Sequence, residues 1–532
     1  MKTNPIINPA TDDTTMTVLP REDRKDAEIE MREDIEVDKE KILYADGGEE
    51  DPNSPANILK RYPLLVGMTP GEREILNKRV RRRIDIWMLP MITFMLFINY
   101  LDRTNVTNAR VAGMQDDLKM TDVQWSAGIS LFYVGYMISQ LPGSLILSRG
   151  KPRIIMPLMM FCWSVPTICM PLATNATGFM ICRLLVGLFE GPFFPGIALM
   201  TSSWYVKDEL PFRMAIWHAA ITLSSVFGGP LAAAILETMQ GVRGLHAWQW
   251  FLLIEGAVSI ATAGAAYWCL PNWANNTPWM TAEETEMAQY RLVLSAGGHD
   301  EGKNELSIFG GAKLAAKDPF TWIFCAMHFF LVIGQAYKDF LPTILQTFGK
   351  SKLTTYLLQS PCFFLGFLAT LGFGWSAGHF KENTLHIIVP LIFSMGGVLM
   401  IIMTEVVGVR YTGVCLLIMG TASGLNLQVS WETSIIPSPR HKKAAVIAIA
   451  NMFSSTSHWF TPYFFLTSQE PLYKLGGGLL LVGCGLSIVT AGLIRWRVVR
   501  LNRILDKTQD AQNEVFVRQG IEIKEKGWRF PH

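Results

Sequence analysis

The chain has 532 residues, of which 50% are hydrophobic and only 17% charged, with a formal net charge of +2. An ordinary soluble protein carries about 25% charged residues, so this balance excludes a typical soluble domain, and the near-neutral charge leaves no electrostatic footprint for nucleic acid. The charges crowd into the first 80 residues, the middle and the last 40, and the rest is one apolar run after another.

Residues 1–60 are polar and net acidic, with no apolar core followed by a small-residue cleavage site, so they do not read as a signal peptide. A disordered cytosolic N-terminal tail is expected over 1–80, with the first membrane span as the insertion signal. Runs of about 20 apolar residues cross a bilayer as helices. Twelve spans are read at 84–112, 124–147, 153–173, 177–200, 212–237, 249–270, 320–346, 353–378, 385–405, 410–435, 443–467 and 476–496. The expected fold is an all-α membrane protein of twelve transmembrane helices in two six-helix halves, 81–270 and 319–497. A cytosolic central loop, 271–318, joins them, and a cytosolic tail, 498–532, follows.

Span one opens in a basic cluster, "NKRVRRRID", and reaches "FINYLDRTNV", where Asp102 and Arg103 stand side by side. Either the helix ends there in water, or "TNVTNARVAGM" continues it and the pair is intramembrane. Ionisable residues inside a span are costly and are functional candidates by default. Span two holds "FYVGYMISQLPGS", with Tyr133 and Tyr136 at helical spacing and Gln140 one turn on. Each is a possible hydrogen-bond donor to a ligand or a packing residue. Span four holds "ICRLLVGLFEGPFFPG". Arg183 and Glu190 lie seven residues apart, hence on one face, either as a structural ion pair or as part of a site. Gly187 and Gly191 permit close helix contact there, and Gly191, Pro192, Pro195 and Gly196 should loosen the helix just past Glu190. Two arginines can grip a carboxylate bidentately, and a buried Asp or Glu can carry a proton, so this half suits a proton-coupled anion carrier.

In span five, His218 is read as structural. Ser225, Gly229 and Pro230 match too little of an exporter motif to use. The central loop contains "MTAEETEMAQYRL", where Thr281 and Glu284 have capping-box spacing for a short amphipathic helix. In the second half the polar candidates are Gln335, Asn426, Gln428, Asn451 and His458, with Lys338 and Asp339 near the outer mouth and Glu432 as a possible inner gate. "GWSAG" at 374–378 lacks the strand–turn–helix context of a nucleophile elbow. The eight cysteines lie in apolar segments without a CxxC and read as small buried hydrophobes. Sequons at Asn105, Asn175 and Asn275 are not expected to be glycosylated.

Orientation follows Lys and Arg. The short loops tie, but residues 78–83 hold five basic residues and Arg495, Arg497, Arg500 and Arg503 follow the last span. An even span number puts both flanks and the central loop on one side, which should be cytosolic.

"NYLDRTNVTNARVAGM", "SQLPGSLIL", "RLLVGLFEGPFFPG", "WQWFLLIEG" and "PSPRHKKAAVIAIAN" together resemble the anion:cation symporters of the major facilitator superfamily, and within them the fungal allantoate, nicotinate and vitamin permeases. The resemblance covers roughly 80–500. It implies a central site open alternately to each side, with Asp102 and Glu190 as proton-carrying acids and Arg103 as the substrate-coupling arginine. Arg183, Tyr136 and Gln140 would be further substrate contacts; Asn426, Asn451 and His458, read from the residues rather than the resemblance, are the second-half candidates. The chain departs from the wider superfamily at Leu147, where Asp is usual, a change that allantoate-type relatives share, and from many relatives at Ile435, where they have Asn.

The expectation is a proton-coupled importer of a small organic anion (carboxylate, vitamin, ureide or amino-acid-like). It would be a monomer in the plasma membrane, with protons, substrate and the lipid bilayer as partners, and neither cofactor nor metal. Exchange or export of a small solute is the alternative within transport, and a non-transporting nutrient sensor the alternative outside it. No catalytic motif points to an enzyme.

Overall fold

The computed structural model describes residues 55–111, 113–296, 308–339, 341–349, 352–436, 440–465, 471–505 and 530–531. Residues 1–54 of the expected N-terminal tail lie outside them. Every described element is helical, and the helices follow the twelve expected spans in order. The first half holds Pro70–Val111, Asp122–Arg149, Pro152–Cys169, Ala176–Glu190 with Phe193–Ser202, Leu210–Thr238 and Ala247–Cys269. The second holds Pro319–Gly334 with Leu341–Gln346, Lys352–Phe380, Thr384–Met403, Val407–Ile435, Arg440–Ser455 and Lys474–Leu505. Spans one to twelve below are these twelve segments. Large apolar side chains such as Ile138, Trp268 and Met403 remain exposed on their outer faces, as suits helices whose backbone groups are satisfied internally and whose surface meets lipid.

Ten helices among the described residues are long and apolar enough to cross a membrane, or eleven if Gly310–Lys317 and Pro319–Gly334, bent by 76°, are taken as one. The two shortfalls are spans seven and eleven. Span seven breaks at Gly334 into a 3-10 turn, Ala336–Asp339. Span eleven spends its first turn on Arg440, His441, Lys442 and Lys443, then passes into 3-10 turns from Thr456.

Three boundaries differ from expectation. Residues 55–80, assigned to a disordered tail, form helices Pro55–Lys60 and Pro63–Val66, and the span-one helix starts at Pro70. Ile58, Tyr62 and Leu65 are buried there; the backbone N–H of Leu64 donates to Glu286 at 2.9 Å, and the Tyr62 ring meets Tyr290 edge-on. Glu286 and Tyr290 belong to the central-loop helix Ala282–Ser295, whose capping box at Thr281 and Glu284 forms as expected. The same helix pairs Glu284 with Arg83 and Arg291 with Glu209. Local composition marked this segment as tail, and contacts more than 200 residues away order it. At the other end, span twelve runs to Leu505, past the expected limit of 497.

Spans two and four interlock through glycine. A Cβ on Gly187 would stand 2.0 Å from the Phe132 carbonyl oxygen, and one on Gly191 2.3 Å from that of Tyr136. Span four breaks next to this contact, its first helix ending at Glu190 and the second starting at Phe193, because Pro192 has no N–H for the ladder.

The halves meet along spans two and eleven and along spans five and eight, where Ser360 Oγ donates to the Val226 carbonyl at 3.1 Å. On the central-loop side three further links join them: Ser148 Oγ to His441 Nδ1 at 2.7 Å, Lys443 Nζ to the Ser202 carbonyl at 3.1 Å, and Lys381 to Asp208 at 2.6 Å. Lys442 and Asp318 form a fully buried ion pair at 2.7 Å beside them. Phe530, next to the chain end, is buried on this side. Asn502 exchanges two hydrogen bonds with its backbone at 3.0 and 2.9 Å, and Trp431 Nε1 donates to the Pro531 carbonyl at 3.0 Å.

Candidate functional site

Span one stays helical through Val111, so Asp102 and Arg103 lie within it rather than at a helix end. Adjacent residues point about 100° apart on a 3.6-residue helix. Asp102, 5% exposed, turns toward spans three and six. Trp163 Nε1 of span three donates to its Oδ2 at 3.0 Å, and the Glu255 carboxyl of span six lies within hydrogen-bonding reach. The Ser259 hydroxyl, one turn beyond Glu255, stands close by.

Arg103 turns toward spans two and four and pairs with Glu190. Its guanidinium also lies over three rings, 4.8 Å from Tyr100, 4.6 Å from Tyr136 and 5.6 Å from Phe132. Of the two readings of Arg183 and Glu190, the structural ion pair is not among the salt bridges of the described residues, where Glu190 pairs with Arg103. Residues two turns apart on one helix share a face but stand about 10 Å apart along it, so spacing gave direction and not contact. Arg183 lies 4.4 Å above the Phe132 ring. It is buried, and its Nε has no hydrogen-bond partner among the described residues.

The second half reaches this cluster through span eleven. Asn451 Nδ2 donates to Tyr136 Oη at 3.4 Å and to Gln140 Oε1 at 3.3 Å. His458 stacks on Tyr133 with centroids 5.1 Å apart. Three other polar candidates have their nearest contacts elsewhere. Asn426 of span ten lies buried against span eight, its amide 3.4 Å from where a Cβ on Gly374 would stand, and neither amide atom has a hydrogen-bond partner among the described residues. Gln335 donates to the Thr421 carbonyl at 2.8 Å, and Gln428 to Glu432 on its own helix at 2.6 Å, so these amides are used locally. The side chains of Lys338 and Asp339 lie outside the described residues. Tyr100, Phe132, Trp163 and Glu255 were missed. Glu255 stands in the quoted "WQWFLLIEG", and the rule that flags intramembrane acids applied to it as much as to Asp102.

Two packed helical halves hold charged groups buried between their helices, an arrangement that suits membrane transport. The Major Facilitator Superfamily profile matches residues 92–462, and the chain belongs to that superfamily. It is similar to the MFS-type transporter efuF of Hormonema carpetanum, 25% identical over 86% of this chain and 92% of that one. It is also similar to the major facilitator-type transporter hxnP of Emericella nidulans, 28% identical over 67% and 73%. Its fold resembles the proton:xylose symporter XylE, with TM-score 0.60 and 13% identity over 77% of this chain and 96% of that chain.

Proposed function

We propose that the protein imports a small organic anion together with protons by alternating access, as a monomer of the anion:cation symporter type. It works in the plasma membrane, with the termini and central loop in the cytosol. The observation that carries the reading is Arg183, a buried guanidinium whose Nε finds no acceptor among the described residues. A buried cation is costly until it is paired, and a substrate carboxylate would complete it with the planar geometry that suits arginine. Arg103 is already neutralised by Glu190. Protonation of Glu190 would release Arg103 for the same substrate, with Tyr136, Gln140, Asn451 and His458 on the facing helices as polar and aromatic contacts. Asp102 sits away from Arg103 and is a second proton carrier, acting through the charge of the site. The resemblance of the quoted motifs to allantoate-type permeases supports this assignment.

Uptake of a panel of radiolabelled monocarboxylates, vitamins, ureides and amino acids tests it in a transport-deficient host. At least one anion should accumulate, faster at acid external pH, and a protonophore should abolish accumulation. Uptake of the anion indifferent to both treatments would remove the proton from the mechanism; uptake of neutral solutes alone would remove the anion.

A further inference from the structure

Asp102 does not face its acidic neighbour through an intervening cation. Its carboxyl and that of Glu255 lie within hydrogen-bonding reach of each other, and both residues are buried, at 5% and 8% exposure. Ionised carboxylates only accept hydrogen bonds, and like charge at such a separation in a buried site raises the affinity of the pair for one proton. The orphaned atom agrees with this: Asp102 Oδ1 receives no donor from any described N–H or O–H group, although Trp163 serves Oδ2. The nearby Ser259 Oγ makes no hydrogen bond among the described residues either. A proton shared by the two acids turns their contact from repulsion into a hydrogen bond.

The other ionisable groups around the two acids are named by helix. Span one adds Arg103 and Tyr100, and span four adds Arg183 and Glu190. Span two adds Tyr133 and Tyr136. Span three contributes Trp163. Counting the strongly charged members gives three carboxyl groups (Asp102, Glu190, Glu255) against two guanidinium groups (Arg103, Arg183). With every carboxyl ionised the site carries an excess negative charge that opposes an anion. One proton on the pair removes the excess.

We infer that Asp102 and Glu255 hold one transported proton jointly, as one carboxyl pair, so that Glu255 of span six is a further proton-coupling residue. Loading forms one O–H bond on the pair from water on the side opposite the central loop. Release to the other side breaks that bond and leaves two adjacent carboxylates, whose repulsion returns the excess negative charge and expels the anion. The inference deepens the symport reading and rests on it.

The test needs no substrate. The purified full-length chain is titrated while the infrared band of protonated buried carboxyl groups is followed, in wild type, Glu255→Gln, Asp102→Asn and the double variant, each confirmed monodisperse by size exclusion. Coupled carboxyl pairs interact by more than about one pH unit. Each single variant should therefore keep one titrating buried acid with its midpoint moved to lower pH by about a unit or more, and the double variant should lose that component. Glu255→Asp, which keeps the acid, should titrate near wild type. A Glu255→Gln midpoint unchanged from wild type overturns the pair. If Glu255→Gln is not monodisperse, Asp102→Asn decides alone, and loss of all titration at this site would place the proton on Asp102 only. The outcomes are separable from the symport reading, which stands or falls on protonophore-sensitive uptake by the wild-type chain.

Discussion

At the scale of single residues, which ionisable side chains sit inside the apolar helices was legible for four of them, and which partner each chooses was not. Asp102, Arg103, Arg183 and Glu190 are conspicuous because water-loving groups interrupt apolar runs. Partners come from helices tens of residues away, so Trp163 surfaced only once the chain was folded, whereas Glu255 was open to the same rule as Asp102. Arg103→Lys keeps the charge but loses the planar fork and the stacking on Tyr100, Tyr136 and Phe132. Hydrogen bonds to charged groups contribute about 1.5–3 kcal/mol, which corresponds to roughly 10- to 150-fold in affinity. The half-saturation concentration for uptake should rise by that order while surface abundance, read by biotinylation, holds. Glu190→Gln removes the anion beside Arg103. Stranding a buried cation costs about 3–5 kcal/mol, but the Arg103 side chain is 20% exposed and already lies against three rings, so the loss should be well below that range. The expected outcome is a folded protein at the surface that exchanges substrate but no longer accumulates it. Trp163→Phe keeps the packing and deletes the donor to Asp102 Oδ2. The anionic form loses support, so acid-stimulated uptake should persist to higher pH than in wild type; an unshifted pH profile would mean that this hydrogen bond does not bear on proton carriage.

Among the elements, hydropathy located all twelve spans, because burial in lipid demands long apolar helices whatever the tertiary detail. It could not show that spans seven and eleven are broken. Those breaks depend on where Gly334 stops a helix and where basic residues occupy a first turn. The glycines of span four are the opposite case, readable in sequence and then explained by contact. Gly187→Ala would drive a methyl group into the Phe132 carbonyl oxygen, and rigid backbone on both helices leaves little room to yield. Overpacking costs about 1–3 kcal/mol, so thermal unfolding in detergent should move down by several degrees and transport should fall with it. Gly264→Ala in span six is the control, since nothing lies within 4 Å of where its new methyl group would stand. Replacing that helical glycine relieves a cost of about 0.8–1.0 kcal/mol, and its unfolding temperature should hold or rise.

For the whole molecule, the two halves are closed against each other on the central-loop side by Ser148–His441, Lys443–Ser202 and Lys381–Asp208. Alternating access requires this seam to part. Cysteines at Ser148 and His441, oxidised in membranes from an otherwise cysteine-free chain, should link spans two and eleven, stop transport, and release it on reduction. Retained transport with the link formed would show that the seam stays shut through the cycle. Neither this seam nor the anchoring of the chain end was legible, since both join segments hundreds of residues apart or separated by a polar stretch. The anchored end has a consequence for inheritance. A frameshift or stop codon just beyond Leu505 spares every membrane helix and would ordinarily be judged harmless. It would nevertheless remove the backbone groups that satisfy Asn502 and Trp431. Each buried polar group left unsatisfied costs about 1–3 kcal/mol, enough to send a chain with all its spans and its site intact to degradation.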